Sequence, residues 1–96
     1  MNKILLFALM TFFLSSNAFA ISDQALIEAC FEVGEDKIRT LALFTDCEVV
    51  SDVVATEVDN RFLNLSKYIW YTAEVSCEGS VTEVTKMVQY YRGKCY

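Results

Sequence analysis

Histidine and proline are absent from this 96-residue chain, glycine occurs three times and tryptophan once. Without histidine the usual general base, the usual zinc ligand and the usual proton switch near neutral pH are all missing. No two cysteines form a Cys-x-x-Cys pair, so the common dithiol redox motif is missing as well. The glycines form no phosphate-cradling loop, and there is no repeat, low-complexity tract or linker. Beyond residue 20 no apolar run approaches the roughly 20 residues needed to cross a bilayer. Basic side chains are scarce, 8 against 13 acidic ones, which argues against a protein that neutralises nucleic-acid phosphates.

What is present begins with a targeting pattern. Met1-Asn2-Lys3 supplies a positive start, and Ile4 to Leu14 is apolar except for Thr11. Ser15-Ser16-Asn17 then turns polar, and Ala18-Phe19-Ala20 carries small residues where a signal peptidase reads them. Residues 1–20 are therefore expected to be a cleaved secretory signal peptide, leaving residues 21–96 as one small disulfide-containing domain. The mature part holds 7 basic and 13 acidic side chains, a charge of −6. The expected destination is the periplasm or the extracellular space, with no membrane span after cleavage.

Export gives Cys30, Cys47, Cys77 and Cys95 a meaning. A short chain in an oxidising compartment builds a small core and staples it. Gaps of 16, 29 and 17 residues between successive cysteines do not suit a zinc knuckle. Two disulfides are expected and no metal or cofactor. The favoured pairing is Cys47–Cys77 with Cys30–Cys95; the alternative is Cys30–Cys47 with Cys77–Cys95.

The pattern of apolar residues gives the fold class. Ser22 is a plausible helix cap, and Ala25, Leu26, Ala29, Cys30 and Val33 recur at helical spacing. Gly34 is expected to end that helix, with a second short one over 35–45. From Val49 to Val58 the chain is rich in β-branched residues, which favour a strand. Lys67 to Cys77 alternates cleanly, Ile69, Tyr71, Ala73, Val75 and Cys77 on one side and Tyr68, Trp70, Thr72, Glu74 and Ser76 on the other. Gly79-Ser80 reads as a two-residue hairpin turn leading to a return strand over 81–92. In that register Val75 meets Val84, Tyr71 meets Val88 and Ile69 meets Tyr90. A strand over 49–58 antiparallel to 67–77 brings Cys47 level with Cys77, whereas Cys95 falls about 40 Å along the sheet from Cys77, which leaves it for Cys30. The expected architecture is α+β: an N-terminal helix, or two short ones, on an antiparallel sheet of about three strands with a C-terminal β-hairpin, stapled by disulfides.

Chemistry is thin. Glu32, Glu35 and Asp36, Asp46 and Glu48, and Glu57 and Asp59 are clustered acids. They lack the spacing of a calcium loop and are best explained as solvated surface. Asn64-Leu65-Ser66 matches an N-glycosylation acceptor. Charge is uneven: residues 21–60 carry −8 and residues 61–96 carry +2. The tail from Tyr90 to Tyr96 is basic and aromatic, and is expected to lie against the acidic helix.

The polar-side residues of the hairpin form the one suggestive group. Tyr68, Trp70, Met87, Gln89, Tyr91 and Arg92 are the candidate binding residues, because exposed aromatic clusters mark interaction surfaces. The expectation is a non-enzymatic, acidic, exported binding protein recognising a protein or cell-envelope partner through that face. The alternative is a structural or assembly subunit of an envelope or secreted complex, with homo-oligomerisation open.

Overall fold

The computed structural model describes residues 21–61, 63 and 65–96. Residues 1–20 and the acceptor Asn64 lie outside the described residues. Among the described residues five strands follow one helix: α1 (Asp23–Phe44), β1 (Glu48–Val49), β2 (Val54–Asp59), β3 (Ser66–Cys77), β4 (Ser80–Tyr91) and β5 (Lys94–Cys95). The fold is α+β, a helix packed on an antiparallel sheet with a C-terminal hairpin, as the apolar periodicities require.

Helix α1 starts where a hydroxyl can serve an orphan amide. The Ser22 Oγ accepts from the Ala25 N–H at 3.1 Å, satisfying one of the free donors of the first turn. Asn60 Nδ2 donates to the Ile21 carbonyl at 2.7 Å and to Asp23 Oδ1 at 2.9 Å, tying the helix start to the end of β2. The helix is continuous for 22 residues, so Gly34 does not end it and there is no second helix over 35–45. Its buried stripe is Leu26, Cys30, Gly34, Ile38 and Ala42, a strict four-residue step. Ala25 and Ala29, expected in that stripe, are exposed.

Gly34 has a different task. A Cβ there would lie 2.6 Å from Cγ and 2.8 Å from Cε2 of Tyr71 and closer still to Cδ2. The missing side chain lets the Tyr71 ring pass close beneath the helix backbone. Tyr71 is fully buried, and its hydroxyl donates to the Ile27 carbonyl at 2.7 Å. Phe31 meets the ring edge-on, centroids 6.1 Å apart. Around this contact Leu26, Ile38, Ile69 and Val88 are also fully buried, each contributing about 1.5–3 kcal/mol of transfer free energy.

The sheet order is β1-β3-β4-β5, with β2 also on β3. Strand β3 is central: β1 and β2 share one of its edges and β4 occupies the other. What reads as one strand over 49–58 is two pieces. Between them Val50 N–H still donates to the Glu74 carbonyl at 2.9 Å, and Ser51 Oγ accepts from the Glu74 N–H at 2.7 Å. A bulge between Ala55 and Glu57 inserts Thr56.

The hairpin register differs from expectation by two residues. Cys77 faces Ser80, Val75 faces Thr82, Tyr71 faces Lys86 and Ile69 faces Val88, so the turn is Glu78-Gly79 rather than Gly79-Ser80. Both turn residues have positive φ, 51° and 85°, the geometry that matches the twist of adjoining strands. A slip of two leaves every side chain on its face, which is why the alternation could not tell the two registers apart. A second turn of the same kind, Arg92-Gly93 with φ of 51° and 76°, folds β5 back on Tyr90 and Tyr91. That short strand has no counterpart in the expected three.

The disulfides are Cys30–Cys95 and Cys47–Cys77, with Cα separations of 5.5 Å and 4.5 Å. The second follows from register: Glu48 faces Ser76, so Cys47 stands beside Cys77. Asp46, at φ 55°, turns the chain out of the helix to make this possible. Spanning 65 and 30 residues, the bridges are each worth about 4 kcal/mol in the chain-entropy model. Disulfides persist in oxidising, non-cytoplasmic compartments, and the two bridges point there. No helix among the described residues is long and apolar enough to cross a membrane.

Two outcomes test the helix–sheet contact. Gly34→Ala gains about 1 kcal/mol of helix propensity but forces a methyl into a ring, an overpacking cost of about 1–3 kcal/mol or more. Chemical denaturation is expected to show a net loss; an unchanged or raised midpoint contradicts the close approach. Burial pushes the Tyr71 phenol from 10.0 to about 12. The folded state therefore holds its proton where the unfolded chain releases it. Stability from this group is complete below about pH 10 and is lost as pH rises towards about 12. Tyr71→Phe is expected to remove that part of the alkaline decline, read from urea midpoints against pH.

Candidate functional site

Alternation along the central strands decides which side chains the helix covers. Ile69, Tyr71, Ala73 and Val75 of β3 are buried on the side of α1. Their neighbours Ser66, Tyr68, Trp70, Thr72 and Glu74 therefore stand on the other face. Cross-strand partners share a face, so Glu83, Thr85, Met87, Gln89 and Tyr91 of β4 stand there too.

The structure brings the candidate residues together. Trp70 faces Met87, Tyr68 faces Gln89 and Ser66 faces Tyr91 across the β3–β4 ladder. The Tyr68 and Trp70 rings are 6.2 Å apart at 42°. Gln89 Nε2 donates to Ser66 Oγ at 3.1 Å, fixing the amide between the aromatic groups. The Arg92 guanidinium lies 5.2 Å above the centre of the Tyr91 ring, within cation–π range. Met87 is 43% exposed, while Tyr68, Trp70, Gln89 and Tyr91 are half-buried. Helix α1 lies on the opposite side, so it does not cover these groups.

The floor of the face is polar and satisfied. Thr72 is the buried polar residue here. Its hydroxyl lies 3.1 Å from that of Thr56 and 2.8 Å from that of Thr85, a chain of three hydroxyls crossing β2, β3 and β4. The bulge makes this possible, because it turns Thr56 to the same side as Glu57.

Several residues of the face escaped sequence reasoning. The β5 turn places Lys94 opposite Tyr91. Gln89 and Tyr96 exchange backbone hydrogen bonds of 3.0 and 2.8 Å, so Tyr96, 55% exposed, joins the aromatic group. Strand β2 adds Glu57 opposite Trp70 and Asp59 opposite Tyr68. The X-Gly signal at Arg92-Gly93, of the same form as Glu78-Gly79, is what could have located the extra strand. At the far end Leu63 and Leu65, 90% and 81% exposed, line a shallow depression with Ser66 and Tyr68.

Charge is arranged across the face rather than gathered at a point. Arg92 and Lys94 lie at the β5 side, Glu57 and Asp59 at the β2 side, with Asp59 3.2 Å from Arg61. The tail is held to the helix by the Cys30–Cys95 bridge. Neither Arg92 nor Lys94 has an acidic partner within ion-pair distance among the described residues. The clustered acids of the helix are not assembled into a site: Glu35 pairs with Arg39 at 3.7 Å on the helix surface. Among the described residues no group of three or more acidic, cysteine or histidine side chains could hold a metal ion. No protein family, curated protein or solved structure matches the chain.

Proposed function

We propose that this chain is a non-enzymatic binding protein, exported to the periplasm or the extracellular space. It recognises a protein or cell-envelope component through the sheet face around Trp70. The observation that carries the reading is the composition of that face: Tyr68, Trp70, Met87 and Tyr91 on β3 and β4 with Tyr96 just past β5, and the helix on the other side. Tyr and Trp offer large contact areas with few rotatable bonds, which makes them effective anchors. Gln89, Arg92 and Lys94 supply polar contacts at the same end. The hydrogen-bonded threonine chain holds the floor rigid, so little order remains to be imposed on binding.

Export rests on the leader pattern of residues 1–20 and agrees with two bridges that need an oxidising compartment. An assembly role, in which the same face is permanently covered by another subunit, is the second reading. It draws on the same aromatic area and is separated from the first by whether the face is free in the isolated protein.

Trp70 is the only tryptophan, which makes it both probe and target. A partner purified from the native envelope or culture fluid is expected to shift Trp70 emission to the blue. Trp70→Ala is expected to weaken that partner at least about tenfold, the scale of an anchor residue, with an unchanged circular-dichroism spectrum. Normal binding by a folded Trp70→Ala protein refutes the assignment of the face.

A further inference from the structure

The sheet has two edges, and they are built differently. On one side β2 is short, bulged at Thr56 and separated from β1 by the irregular stretch 50–53. Bulges and breaks of this kind prevent another strand from adding. On the other side β4 runs for 12 residues without glycine, proline or bulge. Only its last residues are covered, by the short β5.

Hydrogen-bond alternation shows what that edge offers. The N–H and carbonyl of Gln89 bond to Tyr96 rather than to β3. In an antiparallel ladder such outward groups recur at every second residue, so Val81, Glu83, Thr85 and Met87 also direct theirs away from β3. The Met87 carbonyl receives Lys37 Nζ at 2.9 Å. Among the described residues no hydrogen bond from outside the sheet reaches the backbone of Val81, Glu83 or Thr85. Beside them on the helix side lies a groove of about 200 Å³, its lining almost wholly apolar and including Leu41, Val75, Thr82 and Val84.

We infer that the occupant of this edge is a second copy of the chain, paired antiparallel β4 to β4 about a two-fold axis at Val84. Register selects this pairing. With Val84 facing its own copy, Val81 (60% exposed) meets Met87 (43% exposed) of the second copy, Glu83 meets Thr85 and Thr82 meets Lys86. Apolar meets apolar, and no two like charges are directly opposed. Moving the axis to Glu83 sets two carboxylates face to face. Moving it to Thr85 brings Val81 against Gln89, whose backbone is already bonded to Tyr96. With the Glu83 axis excluded by charge and the Thr85 axis by Gln89, the Val84 axis is left, the Met87 carbonyl then accepting from the Val81 N–H of the second copy beside Lys37 Nζ.

Such a dimer joins the two sheets into one. Both helices lie on the same side, and the two apolar grooves meet across Val84. Both aromatic faces lie together on the other side, doubling the area open to a partner without covering Trp70. The inference does not rest on the aromatic-face reading: Trp70→Ala is expected to leave the dimer intact, so the two fail separately.

Sedimentation equilibrium of the disulfide-bonded mature protein is expected to show the mass rising from monomer towards dimer between about 1 μM and about 1 mM. A monomer throughout that range overturns the proposal. Thr85→Pro removes an outward N–H that β3 does not use, and is expected to weaken association at least about tenfold. A folded Thr85→Pro protein that dimerises as before overturns the edge assignment. Register is read by cross-linking, which holds even if the proline variant fails to fold. Val84→Cys sets two thiols across a pair with Cα atoms about 4.5 Å apart, the separation seen at Cys47–Cys77. It is expected to give a covalent dimer on a non-reducing gel, whereas Thr82→Cys, offset from its own copy, is not. Equal cross-linking of the two variants, or none from Val84→Cys, contradicts the Val84 axis.

Discussion

The passage of the Tyr71 ring beneath Gly34 sets the relation between helix and sheet. A ring that large could pass under a helix only where one residue has no side chain, so the depth and rotation of α1 are fixed at that point. The phenol hydroxyl, bonded to the Ile27 carbonyl, fixes position along the helix as well. From there the four-residue stripe of Leu26, Cys30, Ile38 and Ala42 falls onto the sheet. The bridges act at the far points: Cys30–Cys95 ties the helix to the last strand, and Cys47–Cys77 ties the linker after it to the hairpin. With one side of the sheet closed in this way, the other is left to the aromatic groups.

Length matching supports the arrangement. A helix of 22 residues is about 33 Å long and a strand of 12 residues about 40 Å. One helix can therefore shield most of β3. The sheet face away from α1 carries threonine, glutamine and glutamate among its aromatics, enough polar character to meet water.

Much of this was legible in the residues. The alternation of Lys67 to Cys77 assigned faces correctly, and antiparallel pairing with the β-branched stretch placed Cys47 beside Cys77, from which the other bridge followed by elimination. Face membership of Tyr68, Trp70, Met87, Gln89 and Tyr91 also came from alternation. What could not be read was tertiary. A glycine inside a helical pattern looks like a stop until the ring that needs its space is known. A turn that can slide by two residues without changing any face is settled by local φ preference, not by periodicity. The two-residue β5, which brings Lys94 and Tyr96 to the aromatic face, is too short for any periodic signal.

The consequence is a division of labour between two sides of one thin sheet: a sealed side made of Tyr71 and the helix stripe, with Phe31 and Tyr90 packed against them, and an open side carrying Tyr68, Trp70, Tyr91 and Tyr96. Five tyrosines sample both. Chemical nitration of the native, disulfide-bonded protein, mapped by peptide mass spectrometry, measures this directly. Tyr68, Tyr91 and Tyr96 are expected to be modified while Tyr71 is spared until the protein unfolds. Modification of Tyr71 in the native state at the rate of the others, or protection of all three outer rings in the monomer, would contradict the account.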